Sequence, residues 1–308
     1  MSTAGPSAKA PVDEVTAGLV GAAVAVTAWG AGSVIIKDVD MGGLAVAVYR
    51  FWLYFVLIVI WMGVRRTPFT FRAVRASMWG GIALGLDAAF FFSAVKLTNV
   101  VDATLLGALQ PIVVGVVAAR FFGEHIRPRD AAWSLVALGG VVAVIFASNG
   151  TPEWSATGDF LAICSMLAWS AYFVASRESR NRLTATEFTA GTAFWAAAVN
   201  TPLALVSGQD LSWPSARSLW LLAVMTLLAG LIGHSLMNWS LVRIPLWVGS
   251  TMTLLIPVSS SLLAWAFLGE SLNLAQAGAM ALVLTALAFI IRWQATSKVV
   301  DPTVALEP

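Results

Sequence analysis

The chain has 308 residues, of which 59% are apolar and only 11% charged, with a formal net charge of +2. Ordinary soluble proteins carry about 25% charged residues, and the mean hydropathy here is +0.83. A soluble globule of this size leaves too much surface in water to hide so apolar a composition. Disorder needs low hydrophobicity and high charge, and so small a charge excludes nucleic-acid binding driven by net charge. What remains is an all-α polytopic membrane protein.

In chain order, residues 1–14 form a small-residue polar tail. The apolar run 15–36 is long enough to cross a hydrocarbon core at 1.5 Å per residue. It is too long for a signal-peptide core and is expected to remain uncleaved. Nine more apolar runs follow, at about 42–64, 74–96, 100–121, 130–147, 157–176, 186–206, 218–241, 246–268 and 273–292. Short loops join them, none long enough for a soluble domain, and 293–308 is a second tail. The expectation is ten transmembrane helices.

Orientation follows from the Lys and Arg count. With the N-terminus inside, inner segments carry 13 of the 18 basic residues. The outer ends carry three, Lys37, Lys96 and Arg217, while Arg50 lies within a run and Arg120 at an inner helix end. Both termini are expected in the cytoplasm, as an even helix number requires. The 14 Trp residues suit membrane interfaces, and Trp61, Trp79, Trp154, Trp220 and Trp293 lie near run ends. Cys164, the single cysteine, offers no disulfide, metal or redox constellation.

The fourth and ninth runs repeat one another. Leu109, Pro111, Ala118, Phe121, Gly123 and Glu124 return as Leu255, Pro257, Ala264, Phe267, Gly269 and Glu270, each 146 positions later. Ala28-Trp29 returns as Ala168-Trp169 at an offset of 140. The repeat unit therefore holds five helices, residues 15–147 and then 148–292. An odd number makes the second copy enter from the opposite face, the inverted-repeat (5+5) plan of secondary transporters with a midplane site.

The stretch from Ala108-Leu-Gln-Pro111 to Gly123-Glu124, and its partner from Leu255-Ile-Pro257 to Gly269-Glu270, resemble the two EamA repeats of the drug/metabolite transporter superfamily. The resemblance covers nearly the whole chain. It implies a bacterial inner-membrane exporter of amino acids or other small metabolites, with a central cavity lined mainly by helices 1, 3, 4, 6, 8 and 9. The export direction comes from the resemblance alone.

Several residues are candidates for the work. Pro111 and Pro257 sit within apolar runs, where each removes a backbone hydrogen bond and bends its helix. They release the carbonyls of Gly107 and Thr253, and a pair of hinges beside a substrate path is expected. Asp87 is the one acid deep in a run and Arg50 the one deep Arg. Such groups are functional candidates by default, as a buried ion pair, with Asp87 as a proton site for coupling, or as a direct substrate contact.

His234 and Asn238 share one helix face at i and i+4, and Gln110 lies beside Pro111. These polar groups suit a small polar ligand, or bonds between helices. Trp29 and Trp169, with Tyr172 three positions on, offer aromatic faces for flat or cationic ligands. Glu124 and Glu270, at helix ends, are expected to cap or brace a following helix.

The chain lacks G-x-x-x-x-G-K-[ST], so it carries no ATP motor. Transport must run on a gradient, with protons as the coupling ion to test, on exchange, or downhill. The small multidrug antiporters of the same superfamily use a Glu in helix 1, and the first run has no acid deep within it. No cofactor or metal is expected. Protease signatures are missing, and Asp38-Val39-Asp40 has no room for a glycosyl-transfer domain, so an intramembrane enzyme is a remote alternative. Efflux of lipophilic cations and uncoupled facilitation are nearer ones. The partners expected are a small-molecule substrate and the bilayer, and the sequence does not fix an oligomeric state.

Overall fold

The computed structural model describes residues 12–97, 100–148 and 155–296, and all of its regular elements there are helical. Lys9, Trp154 and Lys298, which entered the sequence reading, lie outside the described residues. In order, the helices are α1 (Val12–Ile35), α2 (Gly43–Val64), the short α3 (Phe71–Ala76), α4 (Met78–Leu97), α5 (Val100–Gly107), α6 (Gln110–Phe121), α7 (Pro128–Ala147), α8 (Ala156–Ser179) and α9 (Ala185–Val206). There follow α10 (Ala216–Met225), a π-helical segment (Thr226–His234), α11 (Ser235–Arg243), α12 (Leu246–Met252), α13 (Leu255–Leu268) and α14 (Leu274–Thr296). The first helix thus starts at Val12, inside the expected tail, and Glu14 pairs with Arg243 across 3.5 Å.

Among the described residues, eight helical stretches are long and apolar enough to cross a bilayer: Glu14–Ile35, Gly43–Val64, Ala103–Phe121, Pro128–Ala147, Ala156–Ser179, Ala216–Arg243, Leu246–Leu268 and Leu274–Ala295. The other two expected spans fall on α4, whose apolar stretch Met78–Ala94 is shorter, and on α9. The latter is 22 residues long but carries Glu187, Asn200 and Pro202. Large apolar side chains such as Val24, Val56, Ile60, Val116, Leu135 and Trp265 lie exposed on several helices, as a lipid-facing surface requires.

Polar residues between the runs start the helices. Thr184 and Glu187 form a capping box on α9, with Glu187 N donating to Thr184 Oγ1 at 3.2 Å and Thr184 N to Glu187 Oε2 at 2.9 Å. Ser155 and Ser215 cap α8 and α10 in the same way, by accepting from Gly158 N and Ser218 N. Each cap satisfies donors that would otherwise be orphaned.

Small residues bring the helices close. A Cβ on Gly81 would meet Trp195 Cβ at 2.4 Å and Thr192 Cα at 2.9 Å, and one on Gly85 would meet Ala196 Cα at 3.1 Å. This small-xxx-small face therefore seats α4 directly on the backbone of α9. Helix α4 also packs along α8, and α1 runs along the π segment, α11 and α13. Helices α7 and α14 form a pair with their own apolar cluster, in which Trp133 stacks on Phe289 at 4.5 Å. The main core lies between α1, α2, α8, α9, the π segment and α11.

The two expected hinges are breaks rather than bends. Helix α5 ends at Gly107 and α6 starts at Gln110, with Pro111 in its first turn. Helix α12 ends at Met252 and α13 starts at Leu255, with Pro257 in its first turn. Proline is tolerated at the start of a helix because its missing N–H has no partner there anyway. The two stretches fold alike to their ends. Gly123 and Gly269 are both left-handed, at φ 66° and 69°. Glu124 N donates to Ala118 O at 3.1 Å, and Glu270 N to Ala264 O at 3.4 Å.

Candidate functional site

The π segment organises the core of the bundle. A π turn shifts the carbonyl register of its helix and often marks a functional position. Here Ala229 O accepts a 3.0 Å hydrogen bond from Trp29 Nε1. The Trp29 indole lies so close to Gly233 that a Cβ there would sit 2.5 Å from Nε1. A ring on α1 is thereby held against the last turn of the segment, which ends in His234.

Around His234 the aromatic side chains converge. Its ring centroid lies 5.2 Å from Trp29, 6.0 Å from Trp169, 5.7 Å from Tyr172 and 5.9 Å from Tyr54. Trp29 meets Trp169 edge-on at 5.1 Å, and Trp169 stacks on Tyr172 at 5.3 Å. Such edge-on and offset contacts are favourable for π systems. Three helices, α1, α2 and α8, and the π segment thus contribute to one aromatic floor.

Below the floor lies a hydrogen-bond network that uses every group of Asn238. Its Oδ1 accepts from Ser176 Oγ at 2.8 Å and Tyr172 Oη at 3.1 Å, and its Nδ2 donates to Thr189 Oγ1 at 2.9 Å. Tyr172 Oη also lies 3.4 Å from His234 Nδ1. Asn238, Thr189 and Tyr172 are all buried, so these bonds answer the cost of burying polar groups in a bundle core.

The two deep charges flank the aromatic rings. Arg50 Nη2 lies 3.5 Å from His234 Nε2, its guanidinium stands 5.3 Å from the Phe51 ring, and its Nε has no partner. Asp87 accepts a 2.7 Å hydrogen bond from Ser165 Oγ. Ser165 sits one helical turn before Trp169 on α8, which puts Asp87 at the edge of the aromatic floor. The expected Arg50–Asp87 salt bridge does not form: among the described residues the two charges do not approach within 4.0 Å. Each nonetheless lies in the other's electrostatic field.

Structure thus unites Trp29, Trp169, Tyr172, His234, Asn238 and Arg50, with Asp87 beside them. It holds Gln110 at the break between α5 and α6 instead. There Gln110 Oε1 accepts from Thr253 Oγ1 at 3.2 Å and its buried Nε2 lacks a partner. Gln110 therefore joins one helix break to the other.

Glu124 caps a later helix, but not the one that directly follows it. It caps α12, with Leu246 N donating to Oε1 at 2.7 Å and Trp247 N to Oε2 at 3.1 Å. Its Oε1 lies 3.4 Å from Arg177 Nη2, with both side chains 8% exposed, and Arg177 Nη1 donates to Leu241 O at 2.9 Å. One carboxylate thus ties the end of α6 to α8, α11 and α12. Its repeat partner Glu270 is exposed.

Sequence reasoning missed Ser165, Ser176, Thr189 and the burial of Arg177. A signal existed for the serines: Ser165, Trp169, Tyr172 and Ser176 recur at i, i+4, i+7 and i+11, one face of α8. Among the described residues no three His, Cys, Asp or Glu side chains gather in a way that could hold a metal ion.

Comparison with known proteins places this geometry. Over 156 residues the chain is 33% identical to the aromatic amino acid exporter YddG of Ancylobacter novellus, a match covering 49% of this chain and 52% of that protein. The chain thus spans about half the length of the curated relative it matches. A solved crystal structure, described only as that of a protein, superposes with a TM-score of 0.76 at 23% identity, over 91% of this chain and 98% of that one; that likeness concerns the fold. The EamA-like transporter family matches residues 16–146 and again 156–292. With its membrane-length helices and both of these blocks, the chain is an integral membrane protein that belongs to the EamA-like transporter family.

Proposed function

We propose that this protein is a secondary transporter that exports amino acids, aromatic ones foremost, from the bacterial cytoplasm by alternating access around the His234 site. One observation carries the reading: an aromatic floor of Trp29, Trp169, Tyr54 and Tyr172 flanked by Arg50 and Asp87, two deep charges not bonded to each other. Pockets that take small ligands combine apolar walls with a few polar groups. The named activity of the YddG relative supports the substrate class. Arg50 weighs against lipophilic cations, because a cation beside it would meet like charge.

Ten crossings arranged as two inverted five-helix copies, 15–147 and 148–292, complete the proposal. The alike folding of the Pro111–Glu124 and Pro257–Glu270 stretches supports the duplication. The 13-to-3 distribution of basic residues supports cytoplasmic termini. Under this orientation Glu124 and Arg177 lie at the cytoplasmic end, and the aromatic floor near the midplane.

The test is uptake of labelled phenylalanine, tryptophan and a panel of aliphatic amino acids into sealed inside-out vesicles, with and without a proton gradient. Saturable, protein-dependent uptake of the aromatic members is expected, and the gradient response then decides coupling. Uptake of lipophilic cations alone would replace this reading with drug efflux.

A further inference from the structure

We infer that Arg50 and Asp87 are the two poles of a zwitterion site: Arg50 takes the α-carboxylate and Asp87 the α-ammonium of one amino acid, whose side chain rests on Trp169 and its aromatic neighbours. The inference rests on the exporter reading and adds the residues that make it selective.

Arg50 lies within the membrane-length helix α2 and Asp87 midway along the shorter apolar stretch Met78–Ala94 of α4, and an ionised group in such a setting is costly unless paired or hydrated. Both nevertheless keep intermediate exposure, in contrast to buried His234, Asn238 and Tyr172.

Neither charge is spent on the protein. A guanidinium carries five N–H donors, and among the described residues Arg50 makes one long contact, to His234 Nε2 at 3.5 Å. Asp87 uses Oδ1 on Ser165 Oγ, while Oδ2 makes no hydrogen bond among the described residues. Arg and carboxylate normally make a short, often bidentate pair when free to do so. Here they are held farther apart than such a contact, α2 fixing one and α4 with α8 the other. A ligand that carries opposite charges on a single carbon has a partner for each of them.

Charge balance selects the ligand class. With both side chains ionised, Arg50 and Asp87 are neutral in sum, and a zwitterion is neutral too, so binding one leaves no uncompensated charge in a low-dielectric site. An amine would satisfy Asp87 and leave Arg50 facing a like charge. A carboxylic acid would do the reverse. Leaving one member of a buried pair unanswered is what makes such sites selective. The aromatic rings lie next to both poles through His234 and Ser165, so an aromatic side chain attached to the same carbon finds its stacking surface there.

The experiment uses the full-length protein in proteoliposomes and competition against labelled phenylalanine. Phenethylamine, which lacks the carboxylate, and 3-phenylpropionate, which lacks the ammonium, are the competitors. In the wild type each is expected to compete about 10- to 100-fold more weakly than unlabelled phenylalanine, the factor for one charged hydrogen-bonded contact. Arg50→Gln should erase the preference over phenethylamine but keep the preference over 3-phenylpropionate. Asp87→Asn should do the opposite, and Arg50→Lys and Asp87→Glu should restore part of each. Losses from misfolding would not produce this crossed pattern, and the two conservative variants guard against them. Wild-type transport of phenylalanine with both preferences unchanged in the variants would overturn the inference alone. Absence of any amino-acid transport by the folded wild type would overturn the exporter reading with it.

Discussion

Asn238 joins three hydroxyls beneath the aromatic floor into one hydrogen-bond network. Ser176, Tyr172 and Thr189 all spend a hydroxyl on its amide. Replacing it with Leu, of similar size, leaves three buried hydroxyls with lost partners, each costing about 1–3 kcal/mol if unanswered. Asn238→Leu is therefore expected to lower the thermal unfolding midpoint in detergent by several degrees, at about 2–4 °C per kcal/mol for larger domains. An unchanged midpoint would mean that the network carries no net stability. Its place in the sequence, one turn from His234, marked Asn238 as a candidate in advance. Arg50 and Asp87 were legible for the same kind of reason, since charge deep in an apolar run is costly and therefore needs a cause. What the sequence could not give was their pairing: similar depth suggested a salt bridge, whereas lateral position on α2 and α4 is set by packing, and Gly81 and Gly85 fix α4 on α9. Arg177 was hidden because an Arg at the end of an apolar run usually marks the cytoplasmic surface, and only its burial beside Glu124 distinguishes it.

At the scale of elements, the apolar runs and their ends were readable from composition and capping residues, while the breaks within them were not. Proline announces a missing donor, but whether the helix bends or stops depends on what satisfies the freed carbonyls. Here the freed Thr253 carbonyl accepts from the backbone N of Ile256 at 2.9 Å, in the first turn of the new helix. Glu124 was legible as a cap and not as the cap of α12, which lies 122 positions away. That long-range tie has a consequence for motion. Helices α6, α8, α11 and α12 cannot separate at the Glu124 end without breaking two backbone hydrogen bonds and an ion pair. Removing one partner of a buried pair costs roughly 3–5 kcal/mol. Glu124→Gln is expected to open this end more often. A single cysteine at Ser179, beside the small pocket shared with Asn238 and Phe188, should then react several-fold faster with a membrane-impermeant maleimide applied from that side, in a background lacking Cys164. Equal labelling in both backgrounds would show that Glu124 is not part of a latch.

For the whole molecule, membrane insertion follows from composition alone, and family membership from a dozen residues spaced 146 apart that the family match then covers in two blocks. The site between the helices was only partly legible, because its floor is drawn from α1, α2, α8 and the π segment, and no local pattern encodes which faces meet. The π segment in particular has no sequence mark beyond Gly230 and Gly233, whose role appears only once Tyr54 and Trp29 are seen against them. The central claim is that this aromatic floor binds the substrate. Calorimetric titration of phenylalanine into the purified protein tests it most directly, comparing wild type with Trp169→Ala and with Trp213→Ala, a change at an exposed ring that packs on Tyr49 and is not part of the floor. The account predicts saturable binding that falls at least about tenfold in Trp169→Ala, the loss of a stacking surface, and is retained in Trp213→Ala. Equal affinity in all three proteins would contradict it.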